Sequence, residues 1–217
     1  MERLIRVTGK AKIFVQPDTV ALNITLVSRD MSYSTAAEKS AADTSELKNA
    51  FAEIGIAEDK VKTVSFGLDT ETEGYHDEHG NWKNRFIGYK AVHDLKMEFD
   101  VDSDMLTRAI EAMIPLSCKP EFNIEYTVKR AGDVKDKLIA DAVRDSKKKA
   151  AVLTKAADAK LGELVSIDYS WGELEIRSAP MSRNMSSDSV SFEGLFKSFT
   201  PDEIAVEDSV TVTWKII

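Results

Sequence analysis

Apolar and polar residues alternate with a period of two over residues 5–15. Ile5, Val7, Gly9, Ala11, Ile13 and Val15 share one face, and Arg6, Thr8, Lys10 and Lys12 share the other. Side chains of a strand point alternately to its two faces, so this period predicts a half-buried strand. Gln16-Pro17-Asp18 reads as a turn, because proline presets φ and aspartate bonds back to nearby backbone. Val20, Leu22, Ile24 and Leu26 then alternate again, and the two strands are expected to form a hairpin. Between Ser32 and Ile54 the chain becomes alanine-rich. It reads as a long helix with Ser32 or Ser34 as N-cap and Gly55 closing it.

Extended character returns from Val61 to about Thr72, with Val64, Phe66 and Leu68 expected inward. The polar run Tyr75–Asn81 reads as a hairpin tip. From Phe86 to Phe99 one face carries Ile87, Tyr89, Ala91, His93, Leu95, Met97 and Phe99, an apolar face broken by His93. A short helix is predicted over about Asp102–Ile114 and a strand over Phe122–Val128. The longest helix is predicted over about Asp133–Ala159, with Leu138, Ala142, Leu153 and Ala157 near helical spacing. Val165, Ile167, Tyr169 and Trp171 alternate as a sixth strand, residues 177–200 form a serine-rich connector, and Val206–Ile216 alternates as the last strand.

Residues 18–100 and 120–217 follow one order: strand, long helix, strand, irregular connector, strand. We therefore expect a single domain over residues 1–217 built from two pseudo-repeated halves. The fold class is α+β, a mixed and mostly antiparallel sheet with long helices packed on one face.

Composition narrows the function. Of 217 residues, 43% are hydrophobic and 30% charged, which excludes wholesale disorder. Asp and Glu outnumber Lys and Arg by 37 to 29, and no basic stripe with interleaved aromatics offsets this, so nucleic acid is not an expected partner. No run approaches the roughly 20 apolar residues that span a bilayer. The charged and apolar alternation of Met1–Val7 is unlike a signal peptide. The expected placement is cytoplasmic as the sequence stands, or envelope or secreted if a leader was removed. Cys118 is the single cysteine, which excludes an intramolecular disulfide and a cysteine-cluster metal site.

Candidate chemistry is sparse. His76 and His79, with Asp77 and Glu78 between them, could meet on a metal, but their setting is a turn rather than one helix face. His93 could serve as a base in a ligand or catalytic pocket, against the plainer reading of a hydrogen-bonded core histidine. Ser45 with Lys48 and Ser146 with Lys149 match a serine-lysine spacing without the partner motifs of that enzyme class. Neither a P-loop nor a dinucleotide glycine fingerprint occurs. No catalytic residue, cofactor site or resident metal is therefore assigned. The apolar cluster Phe192, Leu195 and Phe196 inside the polar connector is the candidate interface, covering either its own domain or a neighbouring subunit.

Val7-Thr8-Gly9, Pro17-Asp18, Gly55-Ile56 and Thr63-Val64-Ser65-Phe66 with Gly88-Tyr89 occur in an order that resembles the SIMPL-domain family across nearly the whole chain. The helix around Ala140–Ala157, Leu161-Gly162 and the valine-alternating C-terminus extend the match. The chain departs from the pattern at Ala11, where a second glycine is usual, and at His93, where asparagine is expected. The resemblance implies an α+β fold, a bacterial and often envelope setting, a loose link to stress tolerance, oligomers in some members, and no catalytic residues to carry over. The expectation from the sequence is thus a non-enzymatic, homo-oligomeric scaffold or interaction protein. The alternatives are a small-ligand or enzymatic pocket near His93 and metal binding at His76 and His79.

Overall fold

In a computed structural model that describes residues 3–169, 175–182 and 201–217, the alternating segments become strands and the alanine-rich ones helices. Chain order is β1 (Leu4–Val15), β2 (Thr19–Asp30), α1 (Tyr33–Glu53), β3 (Lys62–His76), β4 (Trp82–Asp100), α2 (Ser103–Met113), β5 (Glu121–Thr127), α3 (Ala131–Ala156), β6 (Leu161–Asp168), β7 (Met181–Ser182) and β8 (Ile204–Ile216). The fold is α+β. Gly55 closes α1 at φ 86°, and the amides of Gly55 and Ile56 bond back to Ala52 and Phe51, a left-handed closure open to glycine. Asp102 caps α2 by accepting from the amides of Asp104 and Met105. Among the described residues no helix is long and apolar enough to cross a membrane.

Two sheets form in place of the single one expected. A three-stranded sheet runs β1-β8-β6 and a five-stranded sheet runs β3-β4-β2-β5-β7. The predicted β1–β2 hairpin is not made. β1 pairs antiparallel with β8 along its whole length, from Leu4↔Lys215 to Val15↔Ile204, while β2 pairs with β4 from Thr19↔Asp100 to Asp30↔Tyr89. The turn at Gln16-Pro17-Asp18 passes the chain from one sheet to the other. A three-residue link after a strand is compatible with either outcome, and sequence pattern carries no record of a strand's partner.

The chain divides accordingly into two compact units. The first comprises Met1–Asp18, Thr127–Ser178 and Pro201–Ile217, and the second Thr19–Tyr126 and Ala179–Thr200. Each contains a strand, a long helix and two further strands, with the first strand beside the last: β2-α1-β3-β4 in the order β3-β4-β2, and β1-α3-β6-β8 in the order β1-β8-β6. The same strand-helix-strand-strand order thus occurs in both units. Its second copy takes its first strand from the N-terminus, and β5, expected to start that copy, lies in the other sheet beside β2.

In the second unit, α1 and α2 cover β2 and the inner part of β4, burying Leu22, Ile24, Leu26, Leu47, Phe51 and Leu95 with Ile110 and Met113. In the first unit, α3 lies on β1 and β8 with Leu138, Ala142, Ser146, Ala150 and Thr154 buried at a four-residue interval. Leu153, counted from sequence on this face, is 52% exposed, because the packed stripe follows the small residues and Leu153 sits beside it. Val64 and Phe66, expected inward, are also exposed. Their strand is a sheet edge, and a bulge between Thr63 and Ser65 shifts its register against β4.

Candidate functional site

The β3–β4 pair outruns the sheet that carries it. β2 ends against Tyr89, while β3 and β4 stay paired with each other out to His76↔Trp82, so residues 71–76 and 82–88 form a two-stranded arm. Gly88 marks its root. It has φ 145°, and a Cβ there would stand 2.8 Å from the carbonyl oxygen of Asp30, the last residue of β2. Beside it a register shift between Glu71 and Thr72 sets Ile87 as an extra residue on β4. Sequence alternation placed Ile87 on the face of Tyr89; the bulge puts Phe86 there instead, with its ring 5.2 Å from that of Tyr89.

The arm has two unlike faces. On one, the Trp82 ring lies over Gly74, where a Cβ would meet Cζ2 at 2.0 Å, and the His76 ring meets Trp82 edge-on at 5.0 Å. Phe86, Tyr89 and Tyr33 of α1 continue the row, the two tyrosines 5.6 Å apart. Trp82 is 64% exposed, and Phe86 and Tyr33 are also largely exposed. On the other face Arg85 pairs with Glu73 and lies over the Tyr75 ring. At the arm's root the Arg29 Nε donates to both carboxylate oxygens of Glu71 at 3.0 and 2.9 Å. One face thus carries paired charges around the partly exposed Tyr75 ring, and the other a longer aromatic row left to solvent.

Asp77 organises the tip. Its Oδ1 accepts from the amides of His79 and Asn81, its Oδ2 pairs with Lys83 at 2.9 Å, and Lys83 and those amides hold its carboxyl below the usual range. Gly80 takes φ 79° to complete the turn. His76 is engaged by Trp82. Among the described residues the group of three donors within reach of one another contains neither His76 nor His79.

His93 is half-buried, with Thr44 and Thr63 2.9 Å from Nδ1 and Nε2. The Thr44 hydroxyl donates its proton to the Ser40 carbonyl at 2.8 Å, so it accepts from Nδ1–H, and Nε2 accepts from Thr63. Burial pushes the imidazole below its ordinary value against the opposing pull of Asp94, which favours this neutral form. Asp94 itself accepts from Thr25 and Ser65, each at 2.7 Å. Neither serine-lysine pair forms: Ser45 donates to the Ala41 carbonyl, Ser146 is buried against the Val7 carbonyl, and Lys149 pairs with Asp145 at 2.6 Å. Phe192, Leu195 and Phe196 lie outside the described residues.

Sequence reasoning missed a cluster around the cysteine. Donor atoms of Asp43, Glu46 and Cys118 lie within 4.8 Å of one another. Glu46 is held by the amide and hydroxyl of Ser117, at 3.0 and 2.7 Å, which lower its carboxyl pKa, and Asp43 accepts from Ser28 at 2.5 Å. Burial, with the two carboxylates adding to it, pushes the Cys118 thiol up to about 11. A cation entering here would have to expel the thiol proton and share carboxylates that the serines already use. Reaction requires the thiolate, so at pH 8 Cys118 should alkylate on the order of 100-fold more slowly than an ordinary thiol. Iodoacetamide labelling from pH 7 to 11 checks this; a rate that levels off below pH 9 would contradict the neutral thiol.

A profile of the SIMPL family, described as a protein of unknown function (DUF541), matches residues 5–214, nearly the whole length. The chain belongs to the SIMPL family. The match runs through both units, so in this SIMPL domain β1 and β8 fall within the same family region as the arm. A comparison with curated proteins gave no match.

Proposed function

We propose that this SIMPL domain is a non-enzymatic, self-assembling scaffold that makes its subunit contacts through the β3–β4 arm. The observation that carries the reading is the exposed aromatic row: Trp82 and Phe86 of the arm, continued through Tyr89 to Tyr33 of α1, stand on one face, while the charges of the opposite face are paired among themselves. Exposed aromatic rows of this kind mark association surfaces, and aromatic residues dominate the energetics of such contacts. β3 adds to it, being the outer strand of its sheet. The bacterial, stress-linked setting implied by the family resemblance suits a protein whose role is to build or hold an assembly.

Light scattering after size exclusion tests the proposal on the full chain. The expected result is a defined oligomer for the native sequence and a monomer when Trp82 and Phe86 are both changed to serine. A second variant with Phe192, Leu195 and Phe196 changed to serine reports on the connector. A native chain that stays monomeric at high concentration would count against assembly altogether.

A further inference from the structure

The first unit carries a surface that complements the arm. Between β1 and α3 lies an open groove of about 430 Å³ lined by Val7, Asp145, Lys148, Lys149, Val152 and Leu153. Val152 and Leu153 are 61% and 52% exposed although they sit mid-helix, since the packed stripe of α3 passes through Ser146, Ala150 and Thr154 and leaves them on its flank. The groove is apolar in its walls and basic at its rim. Lys149 is balanced by Asp145, whereas among the described residues Lys148 has no ion-pair partner.

The arm tip is the inverse. Trp82 is 64% exposed, and of the tip charges Lys83 pairs with Asp77 and Arg85 with Glu73, while Glu78 has no ion-pair partner among the described residues. The tip thus offers an exposed indole and, in Glu78, a carboxylate without an ion pair, while the groove offers apolar walls and the Lys148 ammonium, which also feels the Asp145 carboxylate. Ammonium groups also favour the face of an indole over other rings.

We infer that the arm tip of one copy docks in the β1–α3 groove of a second copy, with Trp82 on Val152 and Leu153 and Glu78 near Lys148. This rests on the assembly reading above and names the surface that receives the arm. Two different patches meet, so the contact is heterologous: each copy offers one arm and one groove, and repetition produces a ring if the rotation closes or a filament if it does not.

Such a contact has a mixing test. Trp82→Ser removes the arm's anchor and keeps the groove; Leu153→Glu spoils the groove and keeps the arm. Both positions are exposed, and circular dichroism verifies folding. Each variant alone should associate at least about 10-fold more weakly than the native chain, as expected for loss of a central aromatic contact or burial of an unpaired charge. Mixed in equal amounts, they should form a one-to-one pair that grows no further, since one good arm and one good groove remain. A Leu153→Glu chain that assembles like the native one, or a folded mixture that stays monomeric, overturns the groove assignment. If Trp82→Ser still abolishes assembly in that case, the arm-based scaffold stands. A native chain that is monomeric throughout overturns both.

Discussion

Changing Gly9 to alanine is expected to destabilise the protein by about 3 kcal/mol or more, the upper end of what overpacking a close-packed contact costs. By the usual scaling for a chain of this size that lowers the melting temperature by roughly 6–12 °C. The cause is a backbone contact. A Cβ on Gly9 would stand 1.9 Å from the carbonyl oxygen of Ala142, 2.5 Å from the amide of Ser146 and 2.8 Å from its Cβ. No rotamer change relieves the first two, so α3 would have to lift from β1 and thin the cluster of Val7, Ala142, Ala150, Val210, Val212 and Trp214. Gly132→Ala is the control. A Cβ there meets nothing within 4 Å, and the change should be neutral or slightly stabilising, within about 1 kcal/mol. Thermal melts of the two variants separate a packing requirement at Gly9 from a general glycine effect. Equal melting temperatures would show that the helix yields at no cost.

Truncating Phe51 to alanine should cost about 3–5 kcal/mol, the range for a buried phenylalanine. It is fully buried on α1, in one cluster with Leu22, Ile24, Leu47, Ile110 and Met113, so the deletion removes apolar burial and leaves a cavity that two helices and a sheet bound. Phe86 has the same chemistry but is 47% exposed on the arm, and Phe86→Ala should stay within about 1 kcal/mol of the native stability. Urea midpoints for the pair give the contrast directly. A large loss for Phe86 would mean that the aromatic row stabilises the subunit itself and is less free to engage a neighbour.

The contrast at Phe86 also shows where sequence reasoning stops. Alternation put Ile87, Tyr89, Ala91 and His93 on one face, which holds from Tyr89 inward, where Ala91, Leu95 and Met97 are buried. It fails beyond Gly88 because a bulge inserts one residue, and a period-two pattern has no memory of where its phase slips. The aromatic row is therefore invisible as a periodicity, although all its members were in plain view. The Asp43, Glu46 and Cys118 cluster was hidden for another reason: it joins a helix face to a loop some seventy residues later, and only packing brings them together.

Sequence by itself determined the class and the approximate place of most strands and helices, the inward residues of β2, and the Gly55 closure. These follow from local sterics and from hydrophobic period, which act over a few residues. Tertiary structure decided the partners. That β1 leaves β2 to pair with β8, that the sheet splits in two, that Gly9 must have no side chain and that the arm outruns β2 all depend on contacts between residues far apart in the chain. The free energy of those contacts comes from burial that the local pattern permits but does not assign to one pairing.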